Sequence, residues 1–272
     1  MAQTGYLRVK KFGVLSVAKI FAVFGAVIGI IALVISGALG LLGGIGGVAV
    51  GIGAGVLLLI VMTIGLFVGG SIEAFLYNVI ANIVGPVKVT LNKKGVIGMV
   101  DPLSYAKIVF VFSLIVYGIL AIFVSSLLLS VIGVSSAVGI GLSFPLVAAA
   151  FIFALLVYGF VLPVVWASVY NWLASKIGGV TIVLKKGRVE SVDVMSYVKI
   201  AASLTTIIFV LERLIGVGVG LALHIPQTGG PLLLVASFVL VVIVAVVVAA
   251  LMAFFYNIVA KKIGGIEVDV SK

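Results

Sequence analysis

Cysteine is absent, histidine occurs once, and charged residues make up only 9% of the chain. Without cysteine there is no disulfide and no thiolate metal site. With so few charges there is no soluble surface for 272 residues. An ordinary soluble domain carries about 25% charged and about 45–50% apolar residues. Here 64% are hydrophobic and the mean hydropathy is +1.52. The composition is that of an integral membrane protein. No cleavable signal peptide is expected. The opening MAQTGYLRVKKFGVL is polar and basic, and no small-residue cleavage site follows a short apolar core. The first helix is expected to remain as an anchor. Absent cysteine and scarce glutamine suit a hot habitat, where labile residues are depleted.

Charge of one sign is also scarce: there are 7 acidic against 17 basic residues, for a net charge of +10. Nucleic acid is an unsuitable partner, because the basic residues flank apolar spans and form no single soluble face. They read as a topology signal and as contacts for anionic lipid headgroups.

What the chain does contain is repetition, which is sought before anything else. Ser-x-x-Lys-Ile occurs as SVAKI at Ser16, SYAKI at Ser104 and SYVKI at Ser196. Tyr-Asn-x-x-Ala occurs at Tyr77-Asn78, Tyr170-Asn171 and Tyr256-Asn257, with Ala81, Ala174 and Ala260. A glycine pair or its variant follows each: Gly85-Pro86, Gly178-Gly179 and Gly264-Gly265. These landmarks keep one order. They divide the chain into three tandem copies, 1–93, 94–186 and 187–272.

About sixty nearly all-apolar residues separate each serine from its Tyr-Asn pair. A bilayer core takes about 20 helical residues per crossing. Each copy is therefore predicted to hold two helices and a turn, with crossings near 16–37, 53–82, 104–130, 145–176, 196–222 and 231–262. The breaks fall at Ser36–Gly47, Ile132–Gly141 and His224–Pro231, where Gly and Pro gather. Every basic residue except Arg213 lies beside the first helix of a copy or after its second. The excess of Lys and Arg on the inner side places both termini in the cytoplasm. After each second helix, a left-handed glycine is expected as the stop. Then VKVTL, VTIVL and IEVDV alternate like strands, and NKKG and KKGR look like tight turns before return strands. The chain starts on YLRVKKF and ends on IEVDV, each without a covalent partner strand. The two are expected to pair, because an open edge is a liability; the alternative is a linear row of three units with a frayed amino terminus. The predicted fold is thus an all-α membrane protein with six transmembrane helices. They form three tandem two-helix repeats in a pseudo-threefold arrangement, with short cytoplasmic β-hairpins between repeats.

The unit formed by Val100-Asp101-Pro102-Leu103-Ser104 and Lys107, two helices, Phe75-Leu76-Tyr77-Asn78 and a glycine pair resembles a known family. That family is a small two-helix membrane domain of bacteria and archaea, known only as a transmembrane domain of unknown function. Its pattern runs Val-Asp-Pro-Trp-Ser-x-x-Lys, then Tyr-Asn, then Gly-Gly-Val. Leu103 stands for the Trp and Pro86 for the second Gly; the first copy has Phe12-Gly13, and the third has Val192-Asp193 without the Pro. The resemblance implies fold and membrane location. It implies no activity and no cofactor.

Candidate chemistry is sparse. Ser-x-x-Lys is the signature of one class of acyl-transfer sites. Ser16/Lys19, Ser104/Lys107 and Ser196/Lys199 bring no visible oxyanion hole or pocket. They read as serine N-caps with lysines that reach lipid phosphates. A cation in a first helical turn opposes the dipole, so each lysine wants a partner: lipid phosphate, a carbonyl of a neighbouring helix end, or Asn78, Asn171 and Asn257. The tyrosines sit at the inner interface. The asparagines either line an axis or hold a helix end and hairpin. Glu212 and Arg213 lie about 24 Å along the fifth helix at 1.5 Å per residue. Charges at such depth usually face protein or water, so the pair marks either a functional or partner contact or a position at the outer interface. Glu73 is a single-copy acid expected to pair with a nearby Lys. His224 alone makes no metal site. The glycine-rich Gly40–Gly55 stretch permits close helix packing or a flexible turn.

The composition and motifs point first to a non-enzymatic membrane scaffold or accessory subunit, with anionic headgroups and a protein of a membrane assembly as partners. The alternative is a small channel or transporter with a path along the pseudo-axis. An enzyme acting on lipid would need convergent acid, base or metal groups, which the chain largely lacks.

Overall fold

The computed structural model describes residues 6–137, 152–153, 155–222 and 231–271. It is mostly helical, with one small sheet. Strand β1 (Tyr6–Phe12) runs almost directly into helix α1 (Val14–Gly40). A 3-10 turn, Leu41–Gly43, leads into α2 (Gly44–Val84). Strands β2 (Val87–Leu91) and β3 (Ile97–Val100) follow, then α3 (Pro102–Ala137). A π-helical turn, Val157–Val161, opens onto α4 (Leu162–Ile177). Strands β4 (Ile182–Lys185) and β5 (Arg188–Val192) precede α5 (Val194–Ala222). Helix α6 (Pro231–Ile263) and strand β6 (Ile266–Ser271) end the described chain.

Among the described residues, five stretches are long and apolar enough to cross a membrane: Val14–Val84, Pro102–Ile119, Val157–Ile177, Val194–Leu214 and Val235–Ile263. The first holds both α1 and α2, folded back on each other. Gly25 lies against Met62, Gly29 against Leu59, and Gly40 against Gly47. A Cβ at any of these glycines would collide with the facing helix, so the glycines set the close approach. The expected break at Ser36–Gly47 is narrower than predicted: helix continues to Gly40 and resumes at Gly44, whose φ is +70°. Gly47, Gly51 and Gly55 belong to α2 and pack it on α1, whereas Gly53 faces open space. Of the expected break at Ile132–Gly141, residues 132–137 still belong to α3 and 138–141 lie outside the described residues; of His224–Pro231, only Pro231 is described, and it opens α6. Part of the 145–176 crossing also lies outside the described residues. Along α1, α2 and α6 the outward side chains are large and apolar. Ile31, Val34, Ile35, Leu57, Ile64, Leu240 and Ile243 are all exposed. Patches of that extent are not found on soluble monomers; hydrocarbon is the solvent that suits them.

The sheet has six strands in the order β3-β2-β1-β6-β5-β4, with neighbours antiparallel. The expected pairing of the first and last strands is present, with Val9 opposite Val270 and Phe12 opposite Val268. The outermost strands also meet. Val96 bridges Thr181, the Ile97 N–H donates to the Val180 carbonyl (2.8 Å), and the Ile182 N–H donates to Gly95 (2.9 Å). The sheet therefore closes on itself, which removes its open edges. Because β1 and β6 are neighbours in it, the two ends of the described chain lie on one side of the helices.

Turn chemistry explains the hairpins. Lys186 (φ +49°) and Gly187 (φ +71°) form the two-residue loop between β4 and β5. Positive φ at both positions matches the twist of the flanking strands. Between β2 and β3, the Asn92 side chain accepts from the Lys94 N–H (2.9 Å) and the Val96 N–H (3.0 Å), and Gly95 takes φ +78°. Helices α2, α4 and α6 stop at Gly85, Gly178 and Gly264, with φ of +89°, +84° and +88°. The stop differs from the expected one in ψ. At Gly85 and Gly178 ψ is 149° and 147°, an extended glycine-only conformation. It throws the chain straight into the next strand instead of curling it around the helix end.

Candidate functional site

Strands and helix ends meet in a belt where all three copies of the recurring motif are found. Each tyrosine reaches across the belt. The Tyr77 hydroxyl donates to the Val9 carbonyl and accepts the Val87 N–H (3.3 Å). Tyr170 does the same with Ile97 (2.7 Å) and Val180 (3.4 Å), and Tyr256 with Val189 and Ile266 (3.3 Å). One hydroxyl thus ties the strand that leaves a helix pair to the strand that enters it.

Each asparagine completes the tie. The Asn78 amide donates to the Phe12 carbonyl (2.9 Å), and its oxygen accepts the Phe12 N–H (2.8 Å). Asn171 holds Val100 by the same two bonds (2.8 and 2.7 Å), and Asn257 holds Val192 (2.8 Å each). The carboxamide plays the part of a paired strand residue. The three amides are therefore committed to backbone and are not partners of the lysines.

The serines make a different link. Ser104 donates to the Asp101 carbonyl (3.0 Å) and accepts the N–H of Lys88 (3.0 Å), which lies on the preceding outgoing strand. Ser196 does so with Asp193 and Thr181, and Ser16 with Gly13 and Glu267. In parallel, the N–H groups of Gly13, Asp101 and Asp193 donate to the carbonyls of Glu267, Lys88 and Thr181, each at 2.9 Å. Tyr and Asn bind strands within one helix pair, whereas Ser joins one pair to the next. The last pair joins back to the first through Ser16.

This overturns the reading of the serines as N-caps. Each is the third helical residue, and the cap lies three residues earlier. Asp101 and Asp193 accept the N–H of Ser104 (2.8 Å) and Ser196 (2.7 Å) with a carboxylate oxygen. Gly13 holds the matching place before α1 and makes no side-chain cap. A Cβ there would meet Glu267 and Ser16 at 2.7–2.9 Å. The Asp-x-x-Ser spacing was the available sequence signal. The hydroxyls are occupied as donors and acceptors of backbone bonds. Lys19, Lys107 and Lys199 are all exposed. Their ammonium groups lie free to reach outward.

The apolar members of the motif have a job that sequence reasoning missed. Ile20, after Lys19, packs on Tyr256, Val259 and Ala260. Ile108, after Lys107, packs with Ile80 and Ala81. The alanine of Tyr-Asn-x-x-Ala is small so that an isoleucine of the next pair can seat against it. Both isoleucines are nearly inaccessible, at 1% and 6%.

The single-copy charges stand apart from the belt. Glu73 is exposed and belongs to neither of the two ion pairs found among the described residues, Lys185–Glu190 (3.2 Å) and Arg188–Glu267. Its expected lysine partner is not there. Glu212 and Arg213 are exposed near the far end of the α5 span, and the Arg213 guanidinium lies 5.0 Å from the Phe209 ring centre. Adjacent helical residues diverge, and the two form no ion pair with each other. His224 lies outside the described residues. Among the described residues no cluster of three or more His, Cys, Asp or Glu could hold a metal.

The class this geometry defines is a membrane-embedded helical body that carries a closed strand ring on one side. No family model, characterised protein or solved structure matches the chain significantly.

Proposed function

We propose that this chain is a non-enzymatic membrane scaffold, or the accessory subunit of a membrane assembly. Its six transmembrane helices form three two-helix repeats about a pseudo-threefold axis, akin to the two-helix family it resembles. The strand ring is its cytoplasmic platform, with both termini on that side. Anionic headgroups surround the exposed lysines, and a protein partner docks on the ring. Neither a cofactor nor a nucleic acid enters this reading.

The observation that carries it is the threefold recurrence of the Ser, Tyr and Asn bonds. They commit the serine and tyrosine hydroxyls and the asparagine amides to building a platform, and of the motif's polar groups only the lysines stay free to face outward. The channel alternative leans on Glu212, an acid within the apolar α5 span, and on the three asparagines. Against it, the three asparagines that would line the axis are spent on backbone.

Native mass spectrometry of the protein from its own membrane tests this reading. A stoichiometric second protein supports the scaffold. A lone chain, or a homo-oligomer carrying only lipid, sinks it, and solute flux in liposomes becomes the next measurement. Orientation is tested separately. The chain has no cysteine of its own, so Lys186→Cys is a clean probe. An impermeant maleimide should label it only after the cells are opened. Labelling of intact cells would invert the topology.

A further inference from the structure

Between α1, α2 and α3, just above the strand ring, lies a cleft of about 390 Å³. Its walls are apolar, and four of its lining residues are aromatic: Phe12, Phe21, Tyr77 and Phe112. Phe12 and Tyr77 meet edge to face, with ring centres 4.8 Å apart. The Tyr77 hydroxyl is occupied by the strands, so the ring itself is what the cleft receives from it. One charged side chain lines this space, Glu73.

A second cleft matches it place for place between α6 and α1. Met252, Ala253, Tyr256, Ile20 and Phe24 stand where Glu73, Ala74, Tyr77, Ile108 and Phe112 stand in the first. It is only about 190 Å³ and has no acid. Counted back four residues from each tyrosine, the three positions are Glu73, Trp166 and Met252. Two carry bulk that fills space, and one carries a charge beside twice the volume. A structural requirement common to the three would not call for a carboxylate, and a carboxylate among apolar walls is costly without a counter-charge.

We propose that this cleft binds a free, hydrophobic, monovalent organic cation, with Glu73 as its counter-ion and the aromatic rings as its cage. Rings attract cations through their faces, and most strongly where water is excluded. The volume falls in the range of small-molecule sites. A hard metal ion is disfavoured, because it would need several more oxygen ligands than one carboxylate provides. A lipid tail needs no acid.

The test is equilibrium dialysis of the intact protein in dodecyl maltoside against radiolabelled tetraphenylphosphonium. Tetraphenylborate serves as the isostere of opposite charge. Saturable, one-to-one binding of the cation is expected, and none of the anion. Glu73→Gln should weaken binding about tenfold or more, the scale of one lost charge contact. Val109→Phe should weaken it similarly without touching the charge, because it copies Phe21 at the matching place of the smaller cleft. Glu212→Gln should change nothing. Each variant is checked for an unchanged melting curve, with Glu73→Met, the Met252 equivalent, as the second replacement. Unsaturable uptake by the native protein overturns the proposal. So does a Glu73→Gln or Glu73→Met protein that binds as well as native, or an anion that fills the same site.

Discussion

The strand ring and the helical body are held together by different physics. In the ring, bonds of the same kind and nearly the same length occur at three places, from Tyr77, Tyr170 and Tyr256 to the three serines. In the body, the helix pairs differ from one another. Helices α1 and α2 touch through glycines, while α5 and α6 meet through Phe209 and Phe238, whose ring centres are 6.5 Å apart. The contrast follows from what each medium supplies. In hydrocarbon the hydrophobic effect does not drive helices together, so any pair of complementary shapes serves. At the ring, strand ends and helix ends bring backbone groups that must be satisfied. Directional bonds constrain residue type far more tightly than shape does, and among the described residues no buried side-chain polar atom lacks a partner.

The contrast is broken most severely by removing an asparagine. Asn171→Leu deletes two hydrogen bonds and orphans the N–H and C=O of Val100. A bond is worth about 1 kcal/mol and an orphaned buried group about 1–3 kcal/mol, so the loss should be about 2–4 kcal/mol. Asn257→Leu should cost about the same, since its two bonds to Val192 are equivalent. Thermal unfolding in detergent measures both. Two losses that differ by more than twofold would show that the ring is less uniform than its bonding.

The body is tested at Gly25. A larger side chain there meets the Met62 backbone, and Gly25→Leu should cost about 1–3 kcal/mol through overpacking. Gly65→Leu, with open space around its Cα, should be close to neutral. If both are neutral, the glycines are not what sets the α1–α2 approach.

Much of this fold was legible in the sequence because the ring forced its residues to repeat. The Tyr-Asn pairs, the stop glycines and the NKKG and KKGR turns each mark a place where one residue type fits. The closing of the ring was legible too, from YLRVKKF and IEVDV lacking partners. The role of the serines was not. A serine near a helix start reads as a cap, and only the path of the preceding strand shows that its hydroxyl serves the neighbouring pair. Gly13 was equally opaque, because it is small to make room for Glu267, a residue at the other end of the chain. The clefts were hidden for a similar reason. Glu73 lines a space whose other walls come from Phe112 and Ile266, and no local pattern connects them.

The serine link sits next in size. Ser104→Ala leaves the Lys88 N–H without its acceptor but keeps the parallel bond from the Asp101 N–H to the Lys88 carbonyl. A cost of about 1 kcal/mol is expected. Amide hydrogen exchange should speed up at Lys88 while the Phe12 amide, held by Asn78, is unchanged. Equal acceleration at both would mean that the two kinds of link form one cooperative unit.

The smallest expected effect is the most discriminating, because it lies at a place where the ring's equivalence fails. Arg188 stands opposite Glu267 across β5 and β6. The matching pair across β1 and β2 is Arg8 opposite Lys88, two like charges. Cross-strand opposite charges stabilise by about 0.2–1 kcal/mol and like charges destabilise by similar amounts. The Arg188 and Glu267 side chains are 52% and 47% exposed, so solvent screens them and the low end applies. Lys88→Glu should therefore raise stability slightly, and Arg188→Ala should lower it slightly. The Lys88 N–H bond to Ser104 is backbone and survives the change. Both effects should fade in about 1 M salt, where the Debye length falls to about 3 Å. A stability gain from Lys88→Glu that persists in salt would have to come from strand pairing or packing, and Arg8 would not then be its partner.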